Sequence, residues 1–171
     1  MKKIAILGSA GSGKSTLAKI LGEKLHVDVL HLDTLFWKPG WKASTIHELK
    51  NKQKKFLNKE AWIIDGNYSR VWDERLDQAD TIIFLNLPRT LCLLRILNRW
   101  RRYRGKIRED LGAGCPEKMD LEFIKYVWNF PEQKSGKILK AMMQRTDKAQ
   151  LLVFNNRKSI QKFTQQPFSS N

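Results

Sequence analysis

Apolar residues along this chain fall into two patterns that alternate from end to end. Short continuous runs occur at Lys3-Ile4-Ala5-Ile6-Leu7, Val27-Asp28-Val29-Leu30-His31-Leu32-Asp33, Ala61-Trp62-Ile63-Ile64-Asp65, Thr81-Ile82-Ile83-Phe84-Leu85-Asn86-Leu87 and Ala149-Gln150-Leu151-Leu152-Val153-Phe154. Such runs suit strands buried on both faces of a parallel sheet. Between them the apolar positions take helical spacing. Leu17, Ala18, Ile20, Leu21 and Leu25 mark a first helix, and Ile46, Leu49, Phe56 and Leu57 mark a second, capped by Ser44 and reaching Lys59. A third opens at Pro88, where a missing N–H costs nothing. Another is expected from Pro116-Glu117 to about Arg145 with a break at Pro131, and a last short one frays into the tail between Gln161 and Asn171. Alternating strands and helices define an α/β class. At 171 residues and 42% apolar composition, residues 1–171 form a single domain with one sizeable core.

The turn between the first strand and first helix reads Gly8-Ser9-Ala10-Gly11-Ser12-Gly13-Lys14-Ser15, followed by Thr16. This is G-x-x-x-x-G-K-[ST], a phosphate-binding loop, in the strand-loop-helix order the motif requires. The glycines let the backbone curl until its N–H groups face the oxygens of a di- or triphosphate, and the helix N-terminus adds its positive end. Lys14 then serves the β- and γ-phosphates, and the hydroxyl of Ser15 serves the Mg²⁺ that bridges them.

Two carboxylates end strands on the ligand side of such a sheet. Asp65 closes an apolar run and is the Walker-B candidate for Mg²⁺ or its water, since the strand at Thr81 to Leu87 ends without an acid. Asp33 either orients and deprotonates an acceptor or caps the next turn. His31 lies on the opposite face from Leu30 and Leu32 and reads as a buried, satisfied histidine. Thr34 to Trp41 is an aromatic loop with a Pro39-Gly40 turn; its rings either stack on a ligand or fill core beneath the loop. Arg95 and Arg99, four apart on one helix face, can clamp phosphate oxygens together. Arg157, after the last strand, completes the nucleotide-binding candidates.

Charge sharpens this picture. The net charge is +15, and Arg95, Arg99, Arg101, Arg102, Arg104, Lys106 and Arg108 follow one another with no acid between them. An anionic partner is implied, whether nucleotide, nucleic acid or lipid. Lys50, Lys52, Lys54, Lys55 and Lys59 read as a solvated helix face. Gly105 and Gly112-Ala113-Gly114-Cys115-Pro116 bound a basic segment, so residues 99–116 are expected to be a mobile lid. Cys92 and Cys115 form no metal or redox spacing. No run reaches the length of a membrane span, and the apolar start stops at Gly8, too early for a secretory signal. A reduced, cytoplasmic protein is expected.

These residues resemble the adenylate-kinase-like branch of the P-loop kinases. Gly8 to Ser15 matches its phosphate loop, Trp62-Ile63-Ile64-Asp65-Gly66 resembles the end of its third strand, and Arg95-Ile96-Leu97-Asn98-Arg99 resembles the arginine pair leading into its lid. Leu32-Asp33-Thr34-Leu35-Phe36-Trp37, Asp65-Gly66-Asn67-Tyr68 and Gly114-Cys115-Pro116-Glu117 are similar to the bacterial DNA topology modulation proteins. The resemblance implies a P-loop NTPase three-layer sandwich, with a five-stranded parallel sheet of order 2-3-1-4-5 and a small basic lid. Where monophosphate kinases of this branch carry Asp-Gly-Phe-Pro-Arg, this chain has Asp65-Gly66-Asn67-Tyr68, so the acceptor side is altered. Cys115 by itself cannot build the zinc lid of some relatives.

The expected activity is transfer of the γ-phosphoryl group of ATP to a small acceptor: a nucleotide, a nucleoside or a similar metabolite. The cofactors are ATP and Mg²⁺, and the lid arginines act on the transition state. The rival reading is a nucleotide-binding, DNA-associated regulator. The chain carries no recognisable nucleic-acid motif, so DNA contact is expected to be weak and non-specific.

Overall fold

The computed structural model describes residues 1–106 and 110–168. Five strands, β1 (Lys3–Gly8), β2 (Val29–His31), β3 (Trp62–Asp65), β4 (Thr81–Leu85) and β5 (Gln150–Phe154), form one parallel sheet in the order 2-3-1-4-5. Alternation along β1 builds the two faces. Ala5 and Leu7 face one core with Trp62, Ile64, Phe84 and residues of the later helices. Ile4 and Ile6 face the other with Leu17, Ala18, Leu21 and Ile63. Because the central strands are covered on both sides, polar residues are pushed to their C-terminal ends, and this is where the loop and the acids gather.

Eight α-helices are described: α1 (Lys14–Leu25), α2 (Leu32–Phe36), α3 (Ile46–Leu57), α4 (Trp72–Gln78), α5 (Arg89–Tyr103), α6 (Leu121–Phe130), α7 (Gly136–Met143) and α8 (Arg157–Gln165). Several boundaries differ from those expected. Strand β2 stops at His31 because its partner β3 ends at Asp65, opposite it. With no further ladder to join, the chain turns into α2, and Thr34 Oγ1 donates to the His31 carbonyl at 2.7 Å. Asp33 therefore sits in a short helix rather than at a strand end. The cap of α3 is Thr45, in a reciprocal capping box with Glu48. Ser44 is buried and donates to the Leu35 carbonyl at 3.0 Å.

The aromatic loop is a small antiparallel hairpin, Trp37–Lys38 against Lys42–Ala43. Helix α6 starts at Leu121, capped by Asp120, rather than at Pro116. Glu117 is held extended: its N–H donates to the Lys106 carbonyl at 3.0 Å. At Pro131 the helix widens into a π-turn, Pro131–Ser135, before α7 continues it, because proline cannot supply the regular i→i−4 bond. Helix α4 occupies a stretch that the apolar spacing left without an element. Its inward residues Trp72, Arg75 and Leu76 interrupt the apolar stripe with a charge.

Candidate functional site

The phosphate loop needs its glycines for two separate reasons. Gly11 has φ 76°, and a Cβ there would lie 2.3 Å from the Cys92 carbonyl oxygen at the start of α5. Gly13 has φ 97° but open space, with only Arg95 Nη1 at 3.6 Å. One glycine permits close packing and the other permits a backbone conformation. Beneath the curl, Arg95 Nη1 donates to the carbonyls of Ser12 at 3.1 Å and Gly11 at 3.4 Å. Arg95 thus satisfies the carbonyl side of the loop and leaves the N–H side for an anion. The hydroxyls of Ser9 and Ser12 are buried and have no partner among the described residues. Ala10 and Thr16 flank the curl, Thr16 exposed in the first turn of α1.

Lys14 Nζ donates to the Ser9 carbonyl at 2.9 Å, folded back over the loop. Burial pushes its pKa down, the charges of Asp65 and Asp33 oppose that, and Arg99 adds to the lowering. Two cations and two carboxylates from four separate elements therefore lie within electrostatic reach of one another. Asp65 is buried, and its Oδ1 lies 2.8 Å from His31 Nδ1. Burial alone would lower the histidine's pKa, but the hydrogen bond and charge of Asp65 outweigh it and leave it raised. Asp33 accepts a short hydrogen bond from Tyr68 Oη. Burial raises the Asp33 carboxyl above the ordinary range, and Asp65 and Asp110 reinforce that against the opposing Tyr68 and Lys14.

The altered acceptor-side motif has a definite geometry. Asn67 Oδ1 accepts from the Gly8 N–H at 3.1 Å, while its Nδ2 donates to the Gly8 carbonyl at 2.7 Å, so the side chain pairs with the first residue of the phosphate loop. Tyr68 packs 4.6 Å from the ring of Phe36. Asn67 and Tyr68 stood out in sequence as part of a family resemblance and as a departure from a related motif, with no roles attached.

The hairpin closes on the Gly-rich segment after α5. Gly40 N–H donates to the Gly114 carbonyl at 3.0 Å, Trp41 Nε1 to Pro116 at 3.0 Å, and the Cys115 thiol to Lys38 at 3.2 Å. A Cβ on Gly112 would lie 1.9 Å from the Trp37 carbonyl oxygen, so the two chains meet backbone to backbone. Trp41 adopts φ 61°, rare for a bulky residue. Its ring faces Trp37 at 5.4 Å and carries Lys118 at 5.1 Å. The indoles pack on each other and on this clasp.

Of the expected lid arginines, Arg99 pairs through Nε with Glu117 Oε1 at 2.9 Å. Arg101, Arg102 and Arg104 are exposed. Arg108 lies outside the described residues. Arg157 is exposed in the first turn of α8, beyond the edge strand β5. Among the described residues no three His, Cys, Asp or Glu side chains gather as a metal cluster. The oxygen donors at hand, Ser15 and Asp65, suit an ion that takes one or two protein ligands and completes its shell with phosphate and water, as Mg²⁺ does.

No family model matches the chain. An uncharacterised protein of Bacillus subtilis (strain 168), YqaC, is 29% identical over 128 residues, covering 73% of this chain and 70% of that protein. An adenylate kinase from Chelativorans sp. (strain BNC1) is 34% identical over 92 residues, 52% of this chain and 46% of the enzyme. The solved shikimate kinase of Acinetobacter baumannii in complex with shikimate has 16% identity and a TM-score of 0.54, covering 96% of this chain and 89% of its own. The chain has the fold of the P-loop small-molecule kinases. Among the described residues no helix is long and apolar enough to cross a membrane.

Proposed function

We propose that this protein is an ATP-dependent phosphotransferase acting on a small hydroxylated acceptor, a nucleotide, nucleoside or similar polar metabolite. The observation that carries the reading is the convergence of Lys14 and Arg99 with Asp65 and Asp33 beside the N–H face of the loop. The unpartnered buried hydroxyls of Ser9 and Ser12 support an anion there. The two kinases it resembles, one named for adenylate and one for shikimate, differ in acceptor. The altered residues of this chain are likewise on the acceptor end.

In this reading the loop N–H groups and Lys14 hold the phosphates, and Ser15 and Asp65 would hold Mg²⁺, which would supply neutralising positive charge there. Asp33, held by Tyr68, orients the acceptor hydroxyl and accepts its proton; a carboxyl raised above the ordinary range is better suited to that transfer. Arg95 keeps the loop curled. Arg99 leaves Glu117 for the transferring group as the segment after α5 settles, and Arg157 borders the nucleotide. The hairpin and the segment 110–117 enclose the acceptor and exclude water.

Lys14→Ala tests the core of the proposal. We expect weaker Mg-ATP binding by calorimetry and a loss of turnover of about 10²- to 10³-fold or more, the scale of removing one preorganised donor. Unchanged ATP affinity in a folded variant refutes it. A transfer screen over nucleosides, nucleotides and hydroxylated acids then identifies the acceptor. Tight, sequence-preferring duplex binding at physiological salt, with no transfer to any acceptor, points instead to a DNA-associated regulator.

A further inference from the structure

Arg75 is a guanidinium with no exposed surface, and among the described residues no carboxylate hydrogen-bonds to it. Removing such a charge from water is expensive, and buried cations are ordinarily paired. Here Nη2 donates to the Gly66 carbonyl at 2.5 Å and Nη1 to Gln53 Oε1 at 3.2 Å. Gln53 is itself fully buried and donates onward to the Val71 carbonyl at 3.1 Å. Nε has no partner among the described residues. Burial lowers the guanidinium to a pKa of about 9, with the charge of Asp65 acting to raise it. The nearest compensation for this cation is therefore the acidic centre of the candidate site.

The carbonyl it holds occupies a critical position. Gly66 follows Asp65 and precedes Asn67, the residue paired with the phosphate loop at Gly8; Tyr68, the partner of Asp33, comes next. Gly66 itself has φ 134°, its N–H donates to Ile6 at 3.2 Å, and a Cβ would meet Leu32 Cβ at 2.9 Å. It is thus hemmed in by β1 on one side and α2 on another, and Arg75 fixes its remaining polar group. Displacing Gly66 would disturb its direct neighbours Asp65 and Asn67, and Tyr68 beyond them.

We infer that Arg75, braced by Gln53, is a positioning residue that holds residues 65–68 in register between the phosphate loop and the acceptor carboxylate. It touches neither nucleotide nor acceptor. Its effect passes through the Gly66 carbonyl and through a fixed positive charge behind Asp65. This inference rests on the phosphotransferase reading for its kinetic consequence, but not for its geometry.

The test compares Arg75→Met, Arg75→Lys and Gln53→Glu with the wild-type chain. ATP affinity is measured by calorimetry and slow ATP hydrolysis by single turnover, with water as acceptor, so that no identified acceptor is needed. Arg75→Met is expected to lower hydrolysis at least thirtyfold with ATP affinity within threefold, since the loop N–H groups survive. Arg75→Lys, which keeps the charge and one donor for Gly66, should recover to within about fivefold of wild type. A residue that merely stabilises the core would lower the melting temperature without splitting rate from affinity. Equal losses in both quantities, or no loss in either, overturn the inference.

Amide exchange supplies the independent reading. Arg75→Met should speed exchange at residues 65–71 and 8–13 while leaving β4 and β5 unchanged; uniform or absent change overturns the positioning role. Should Arg75→Met fail to fold, Gln53→Glu decides the matter. The new carboxylate is isosteric and still accepts from Arg75 but cannot donate to the Val71 carbonyl, so the brace loses its anchor, local exchange should rise and hydrolysis should fall. A folded Gln53→Glu chain with wild-type exchange and rate refutes the proposal. If the wild-type chain neither binds nor hydrolyses ATP, the phosphotransferase reading fails, and exchange alone judges the register.

Discussion

The phosphate loop and the proposed acceptor end of this molecule are built by different means. The phosphate loop is one continuous stretch whose motif lies within eight residues, and α5 packs against it through Cys92 and Arg95. The acceptor end draws Asp33 from α2, Asn67 and Tyr68 from the turn after β3, Trp37 and Trp41 from the hairpin, and Glu117 from the segment before α6. It exists only when separate parts of the chain meet. A motif-built site breaks when its backbone is disturbed; an assembled site is expected to lose its parts one contact at a time.

The strongest way to break the first half of the comparison is Gly11→Ala. Its Cβ would lie 2.3 Å from a backbone oxygen that cannot turn aside, at a φ of 76°. We expect a loss of about 3 kcal/mol or more in urea unfolding, together with loss of ATP binding. Gly13→Ala sharpens the point. Its φ of 97° is equally awkward but its space is open, so about 1–2 kcal/mol is expected. If the two cost the same, the close approach of α5 to the loop is not what shapes it.

Asp33→Asn addresses the acceptor end and should lower turnover by about 10²- to 10³-fold with Mg-ATP affinity within a few-fold. It also changes the pH dependence of stability. The Asp33 carboxyl is raised above its ordinary value by burial, so the folded chain holds that proton more tightly than the unfolded chain. Its contribution to stability is present below the ordinary carboxylate pKa and declines as pH rises from there through the raised value. Asparagine should flatten the melting temperature across that window, and an unchanged slope would assign the effect to another group.

The smallest effect is expected at the clasp. Trp41→Phe keeps the ring packing and removes the Nε1 bond to Pro116, which is worth about 1 kcal/mol when exposed groups can turn to water. Global stability should change by no more than that, while quenching of tryptophan fluorescence should show an opened hairpin. A larger loss would mean that the clasp is part of the core.

The five strands and the main helices followed from local composition, because a strand covered on both faces must be apolar throughout and a helix with one covered face must repeat at its own period. The phosphate loop was equally legible, since its function depends on backbone shape within eight residues. Asp33 and Asp65 were visible as acids closing apolar runs, although Asp33 proved to ride on a helical turn once β2 ran out of partners. The chain by itself did not show that Arg75 belongs beneath Gly66, that Asn67 pairs with Gly8, or that Trp41 reaches Pro116. The last two contacts span 59 and 75 positions. Even Arg75 and Gly66, nine positions apart, meet only because α4 folds back beneath the turn. Hydrophobic spacing encodes which face of an element is buried, but which polar atoms then satisfy one another depends on how the elements pack, and only the tertiary structure decides that.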